Sequence, residues 1–515
     1  MTPASAHRGI GRGLWAAVLC TLTLGLTAAP GTAAASSGPA YPLAPIVLRV
    51  GEFNIEYGGT HVDFGKVVEA IRDGGADVVG IEEAQGHIPR LARELDWPYF
   101  SVRMQIVSKY PLIDPPGGNG IYGFVQVAPG QVVAIENVHL PSSPYGPRLA
   151  QRGLKRREVV QKERKVRLPA VRPSLQAARD LVVQGIPVFL TGDFNAPSWR
   201  DWTPAMVDAR PQIRYPVSWP VSVAVERAGF RDSYRAVYPN VARHPGLTWW
   251  AARPTLPGWN PAKNAPQDRI DFVYAAGSAQ AIDSRIVGEV GAPYADIHVD
   301  PWPSDHRSVV STFTVTPATP PVMVAVEQRL MTVGEPAQVT FHAPGQSGEH
   351  VAIVPAGGDP ATDAIAEQPT GAGSATDGTL TFASDAWAPA DYEAVLVDGV
   401  DAELSRIPFW VAAPGAGPEI STGKTAYAVG EPIDISWWNA PGERWDWIGV
   451  YRRGADPHVA WYLLWTYTGA SIVGSATLDD SSSGRWPLGA GEYSLYLLRD
   501  DGYKMAATTS FTIAG

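Results

Sequence analysis

Val188 to Trp202 reads VFLTGDFNAPSWRDW, an apolar run that stops at Asp193 and Asn195 before a loop rich in Pro and Trp. If the strand continues, period-two alternation sends Asp193 and Asn195 to one side, where a carboxylate and an amide can share a ligand. A turn accounts for the same residues, because Asx side chains bond their own backbone and end strands. The neighbouring segments bear on the choice. Asp63 is placed to cap a helix presenting Phe64, Val67, Val68 and Ile71 on one face before Gly74 and Gly75. Ser174 is placed to cap another, with Leu175, Ala178, Leu181 and Val182 inward before Gly185. Each helix leads into an apolar strand, so the first part of the chain mixes helix and strand.

Four apolar strands end on polar groups: VLRVGEFN at Asn54, DVVGIEE at Glu83, VVAIENVH at His139, and VFLTGDFN at Asp193 and Asn195. RIDFVY carries Asp271, and SDHRSVV places Asp305 and His306 ahead of Ser308 to Val310. A strand running the opposite way presents its beginning at the same rim, so neighbouring strands bring these groups together. Each alone has a plain structural role as a cap, a core histidine or a turn. Their ordered recurrence favours a shared site.

The ordered set of Asn54, IEE, NVHL, GDFN, RIDF and SDH resembles the endonuclease/exonuclease/phosphatase superfamily, metal-dependent phosphoesterases built on two packed β-sheets flanked by helices. The resemblance covers roughly Ile46 to Val315. It implies a four-layered α/β domain in which Glu83, with Asn54 nearby, holds a divalent cation. Mg²⁺ suits such oxygen donors, with Mn²⁺ or Ca²⁺ as substitutes. It further implies that Asp193 orients or deprotonates the attacking water and that Asn195 hydrogen-bonds a phosphoryl oxygen. His306 contacts phosphate with its ring fixed by Asp271, Asp305 supports the metal or water side, and His139 the phosphate or leaving group. One departure is Glu82, where members of this superfamily usually carry Gln; it bears on local charge, metal preference and pH optimum.

Arg8 and Arg12 precede the apolar stretch Leu14 to Ala29, followed by PGTAAASS, the order of an export signal over residues 1–35. The expected mature chain is secreted and has no membrane-spanning segment. The only cysteine, Cys20, lies in that signal, which removes thiol catalysis and thiolate metal sites. A net charge of -10 argues against a broad nucleic-acid-binding face. Yet Arg148 to Arg172 holds ten basic residues against Glu158 and Glu163, a solvated helix face or a site for a phosphate-rich substrate. Arg103, Lys109 and Arg148 are candidate substrate-binding residues, and Trp199, Trp202, Trp249 and Trp250 candidate cleft walls. Small or head-group phosphate esters are the favoured substrates, and nucleic acid remains a candidate partner.

Pro-rich stretches at Thr316–Val322 and Ala412–Glu419 read as semi-rigid linkers. They divide the chain into a 46–315 domain and two shorter parts, 322–412 and 419–515. The shorter parts repeat: MTVGEPAQVTFHAPG echoes AYAVGEPIDISWWNAPG, and ADYEAVLVDG echoes GEYSLYLLRDDG. Short alternating runs between turns predict two all-β immunoglobulin-like sandwiches. The second resembles the DWIGVY-containing modules at the ends of some secreted hydrolases. Its dense tryptophans make it a candidate platform for glycan, envelope polymer or lipid, with an inactive, envelope-binding protein as the contrasting reading of the whole chain.

Overall fold

The computed structural model describes residues 43–252, 266–371 and 376–515. The predicted export signal, with Cys20, lies outside the described residues. Among those described, no helix is long and apolar enough to cross a membrane.

Alternating apolar residues give the first domain two sheets. The first has seven strands in the order Ile297–Val299, Ala279–Glu289, Ser308–Val315, Ile46–Asn54, Val78–Glu82, Ile106–Ser108 and Tyr99–Ser101. The second has six, in the order Leu112–Ile113, Tyr122–Ala128, Gln131–His139, Val188–Asp193, Asp271–Ala276 and Arg231–Asp232. Inward side chains, among them Leu48, Val50, Ile135, Phe189, Val273 and Phe313, form the core between the sheets. Each fully buried side chain of this kind contributes about 1.5–3 kcal/mol.

Helices cover the outer faces. Phe64–Gly74 is capped by Asp63, whose carboxylate accepts from Gly65 N at 2.8 Å, and buries Phe64, Val67, Val68 and Ile71 against the first sheet. On the second sheet the helix differs from the sequence expectation. It runs unbroken from Arg156 to Val183, with Pro169 and Pro173 inside it and Ser174 buried in mid-helix rather than at a cap. Both prolines lie on the exposed face, while Val171, Leu175, Ala178 and Leu181 pack on the sheet. That apolar stripe carries the helix through a sequence that locally reads as a break.

The remaining chain forms two β-sandwiches of like topology. In the first, a three-stranded sheet (Met323–Val326, Ala337–His342, Asp377–Phe382) joins a five-stranded one. In the second, the matching strands Glu419–Thr422, Ile433–Trp438 and Gly474–Leu478 join a six-stranded sheet. Their architecture is consistent with immunoglobulin-like sandwiches. The Thr316–Val322 connection is pinned to the second sheet, with Val132 N donating to Ala318 O at 2.8 Å and Ala318 N returning a bond to Val132 O at 2.9 Å.

Candidate active site

Strand register assembles the site. His139 lies opposite Asp193 in a parallel pair, and Asp193 lies opposite Asp271 in an antiparallel pair, so three polar groups line up across the rim of the second sheet. On the first sheet Asn54 lies opposite Glu82. Strict alternation would turn Glu83 away from Asn54 and toward the helical layer. A left-handed backbone at Glu83 (φ 57°) redirects it to the rim, where its carboxylate accepts from Asn54 Nδ2 at 3.4 Å and from Tyr57 N at 3.0 Å. Asn54 Nδ2 also lies 3.3 Å from Asp193 Oδ2, so one amide joins the acids of the two sheets.

The GDFN strand ends at Asp193, but a left-handed Asn195 (φ 49°) folds its amide back. Asn195 donates from its backbone to Asp193 Oδ1 at 2.8 Å, and from Nδ2 to Asp193 Oδ2 and to Leu140 O, both at 3.0 Å. Its amide N–H groups are therefore committed to holding Asp193. In this arrangement Asn195 holds Asp193 in place.

His306 Nδ1 is 2.9 Å from Asp271 Oδ1, and its Nε2 faces Asp193 Oδ2 at 3.8 Å and Asp305 Oδ1 at 3.9 Å. Burial disfavours the imidazolium, but Asp271, Asp305 and Asp193 win and hold His306 well above the usual histidine range. His139 behaves likewise: burial lowers it, and Asp193 and Asp501 more than offset the cost. Burial raises the Asp193 carboxyl to about 6, with His306 pulling it down and Asp271 pushing it up. Glu82, buried behind the rim, is raised by burial to about 7 while the neighbouring Glu52 and His139 pull it back.

Asp305 accepts from the Trp249 indole at 3.0 Å and donates from its backbone to Glu56 Oε2 at 3.1 Å. Glu56 and Asp501 were not singled out by the sequence patterns. Glu56 had a signal in its position two residues after Asn54. Of the tryptophans expected at the cleft, Trp249 reaches the site, whereas Trp202 is buried and donates to Asp268 at 2.9 Å.

The proposed basic contacts fare differently. Lys109 sits 3.1 Å from Asp77, at the beginning of the Val78–Glu82 strand and thus at the end opposite Glu83. Five strand residues separate the two ends by about 17 Å, too far for substrate contact at the rim. Arg103 is committed to Asp114 at 3.1 Å and to the Ala470 carbonyl, a staple to the last sandwich. Arg148 lies half-buried on the short helix that follows the His139 loop. In the basic segment Arg167 is fully buried, bonded to Glu163 at 2.6 Å and to the Ser142 and Pro144 carbonyls, so it shapes the loop after His139.

The donor set fits a divalent cation. Among the described residues Glu83, Asp193 and Asp271 form no ion pair with Lys or Arg, and this concentration of acid calls for a counter-ion. Asp193, Asp271 and His306 each place one ligand atom within 4.8 Å of the others. Asp271 Oδ1 is already hydrogen-bonded to the imidazole, however, so that trio is better read as an orienting chain than as three ligands. Glu83, half-buried at the rim, is the hard oxygen donor best placed to hold the ion; Asn54 lies beside it with its Oδ1 accepting from Glu56 N at 3.0 Å.

Residues 51–306 match the model of the Endonuclease/Exonuclease/phosphatase family. A Caenorhabditis elegans uncharacterized protein is 28% identical over 291 residues, spanning 52% of this chain and 91% of that protein. Similar solved structures include an endonuclease/exonuclease/phosphatase from Beutenbergia cavernae (18% identity, 71% of this chain and 99% of that one, TM-score 0.33). A mannosyl-6-phosphatase of Bacteroides thetaiotaomicron also matches (14% identity, 52% and 99%, TM-score 0.28).

Proposed function

Because residues 51–306 belong to the Endonuclease/Exonuclease/phosphatase family, we propose that the chain is a secreted, divalent-metal-dependent phosphoesterase acting on small or head-group phosphate esters. The observation that carries this reading is the convergence on Asp193 of Asn54, Asn195, His139 and His306 from four separate segments, beside Glu83. A cation held by Glu83, with Asn54 beside it, supplies charge neutralisation for the phosphoryl and leaving oxygens.

The chain's own groups do the rest. Asp193, locked by Asn195, takes the proton of the attacking water. Its raised pKa suits a base working near neutral pH. His306, its Nδ1 held by Asp271, directs Nε2 to the space beside Asp193 and donates a charge-assisted hydrogen bond to a phosphoryl oxygen. His139, on the other side of Asp193, serves the leaving oxygen.

One observation favours nucleic acid as the second reading. Lys155, Arg156, Arg157, Lys162, Arg164 and Lys165 are exposed near the start of the long helix, a face able to follow a phosphate backbone. The test is hydrolysis by the purified chain of phosphomonoesters, phosphodiesters, sphingomyelin, inositol phosphates and nucleic acid, with Mg²⁺ or chelator, beside Asp193→Ala. Chelator-sensitive turnover lost in the variant supports the assignment and identifies the substrate class. A folded chain inactive on every substrate rejects it.

A further inference from the structure

The two catalytic histidines are bracketed alike. His306 has Asp193 facing Nε2 at 3.8 Å and Asp271 on Nδ1 at 2.9 Å. His139 has Asp193 facing Nε2 at 3.6 Å and Asp501 facing Nδ1 at 3.6 Å. Asp271 belongs to the catalytic sheet. Asp501 comes from the last sandwich, in the turn between the strands Gly491–Leu498 and Met505–Ala514.

That turn is built into the catalytic rim. Asp501 Oδ1 accepts from Tyr467 OH at 2.6 Å, and its backbone N donates to Trp445 O at 2.9 Å. Next to it, Asp500 Oδ2 accepts from Gln85 N at 2.7 Å, two residues beyond Glu83. The Arg499 guanidinium covers Gly86 so closely that an added Cβ would lie 2.5 Å from its carbon, and Gly502 fits as closely against the Gln85 side chain. Nearby, the buried Arg444 donates to Asn137 O at 2.7 Å, two residues before His139. The first sandwich uses the matching turn differently: Asp398 accepts from Val400 N at 2.9 Å and Ala402 N at 2.8 Å, closing its own loop. The duplicated turn has therefore been turned outward in the second copy.

We propose that Asp501 is the positioning carboxylate of His139, so that the last sandwich completes the catalytic site rather than serving as a detachable binding module. Tyr467 fixes one oxygen of Asp501 and leaves the other facing the imidazole. This geometry favours a proton on Nδ1 and aims Nε2 at the reacting phosphate. The two acids orient the two rings from opposite domains, and the active site is incomplete without residues 499–503.

The inference rests on the phosphoesterase reading, and two readouts separate their failures. In the full chain, Asp501→Asn keeps the shape and the bond from Tyr467 while removing the charge. Its kcat is expected to fall about 10- to 100-fold, with KM changed less than about 3-fold and melting temperature retained. Asp501→Glu is expected to recover part of the loss. Independently of turnover, selectively ¹⁵N-labelled histidine is expected to show the His139 ring nitrogens shifted by Asp501→Asn and His306 unchanged. If the parent hydrolyses nothing, the phosphoesterase reading fails and the ring shifts still decide whether Asp501 positions His139. Should Asp501→Asn melt early, Tyr467→Phe, which frees one oxygen alone, is the second variant, expected to lower kcat by a smaller factor. Unchanged kcat with unchanged His139 resonances in a folded variant overturns the proposal.

Discussion

Replacing Asp271 by Asn tests how the site sets the charge of His306. The substitution preserves an oxygen able to accept from Nδ1, 2.9 Å away, and removes only the negative charge. With charge centres about 4 Å apart and an effective dielectric of about 20, the lost attraction is about 4 kcal/mol. Asp305 and Asp193, whose oxygens remain 3.9 and 3.8 Å from Nε2, retain part of the effect. The His306 pKa is therefore expected to fall without losing all of its elevation. Histidine-selective ¹⁵N spectra of metal-free protein across a pH series read it directly, and kcat on the best substrate is expected to drop about 10²- to 10⁴-fold. A His306 that titrates as in the parent would refute the reasoning. So would a kcat reduced less than about threefold, because Asp271 would then neither charge nor orient the ring.

Two further perturbations probe the scaffold. Asp201, on the loop after GDFN, bridges buried Arg235 at 2.6 Å and Arg269 at 2.9 Å; Asp201→Ala leaves Arg235 with carbonyl acceptors alone and Arg269 with Asp232, and is expected to cost about 3 kcal/mol in denaturant melts, with a cost under about 1 kcal/mol contradicting the bridge. Asp268 is raised by burial to about 7 while accepting from Tyr145 at 3.0 Å and Trp202 at 2.9 Å. Because its folded pKa exceeds the unfolded value of 3.8, its favourable contribution is complete below about 3.8 and is lost as pH rises through about 7. Relative to Asp268→Asn, the parent should lose a few kcal/mol of stability, roughly 3–4, between pH 4 and pH 8; parallel stability curves would show that Asp268 does not titrate this way.

Much of the first domain was legible because it rests on local periodicity. The alternation ending at Asn54, His139 and Asp193 and beginning at Asp271 places these residues at one rim once the strand directions are known. Less legible were reversals set by single dihedrals: Glu83 and Asn195 reach the site through left-handed backbone that alternation does not encode. The long helix was misread at Ser174 because serine before an apolar face is also the pattern of a cap, whereas the apolar stripe packed on the sheet carries the helix through it. Lys109 and Arg103 looked available because charge in a loop resembles charge at a site; their acceptors, Asp77 and Asp114, are set by tertiary contacts. Asp501 lay within a recognised repeat, but no pattern in RDDG tells that the turn faces His139 from another domain.

The most direct test of the account is calorimetric binding of Mg²⁺ or Mn²⁺ to the folded parent and to Glu83→Ala, with phosphate-ester turnover followed in the same samples. The account predicts stoichiometric binding and turnover in the parent, with both lost in the variant while its melting curve persists. A parent that turns over substrate equally well in chelator, or a Glu83→Ala protein that binds the ion and works as well as the parent, would contradict it.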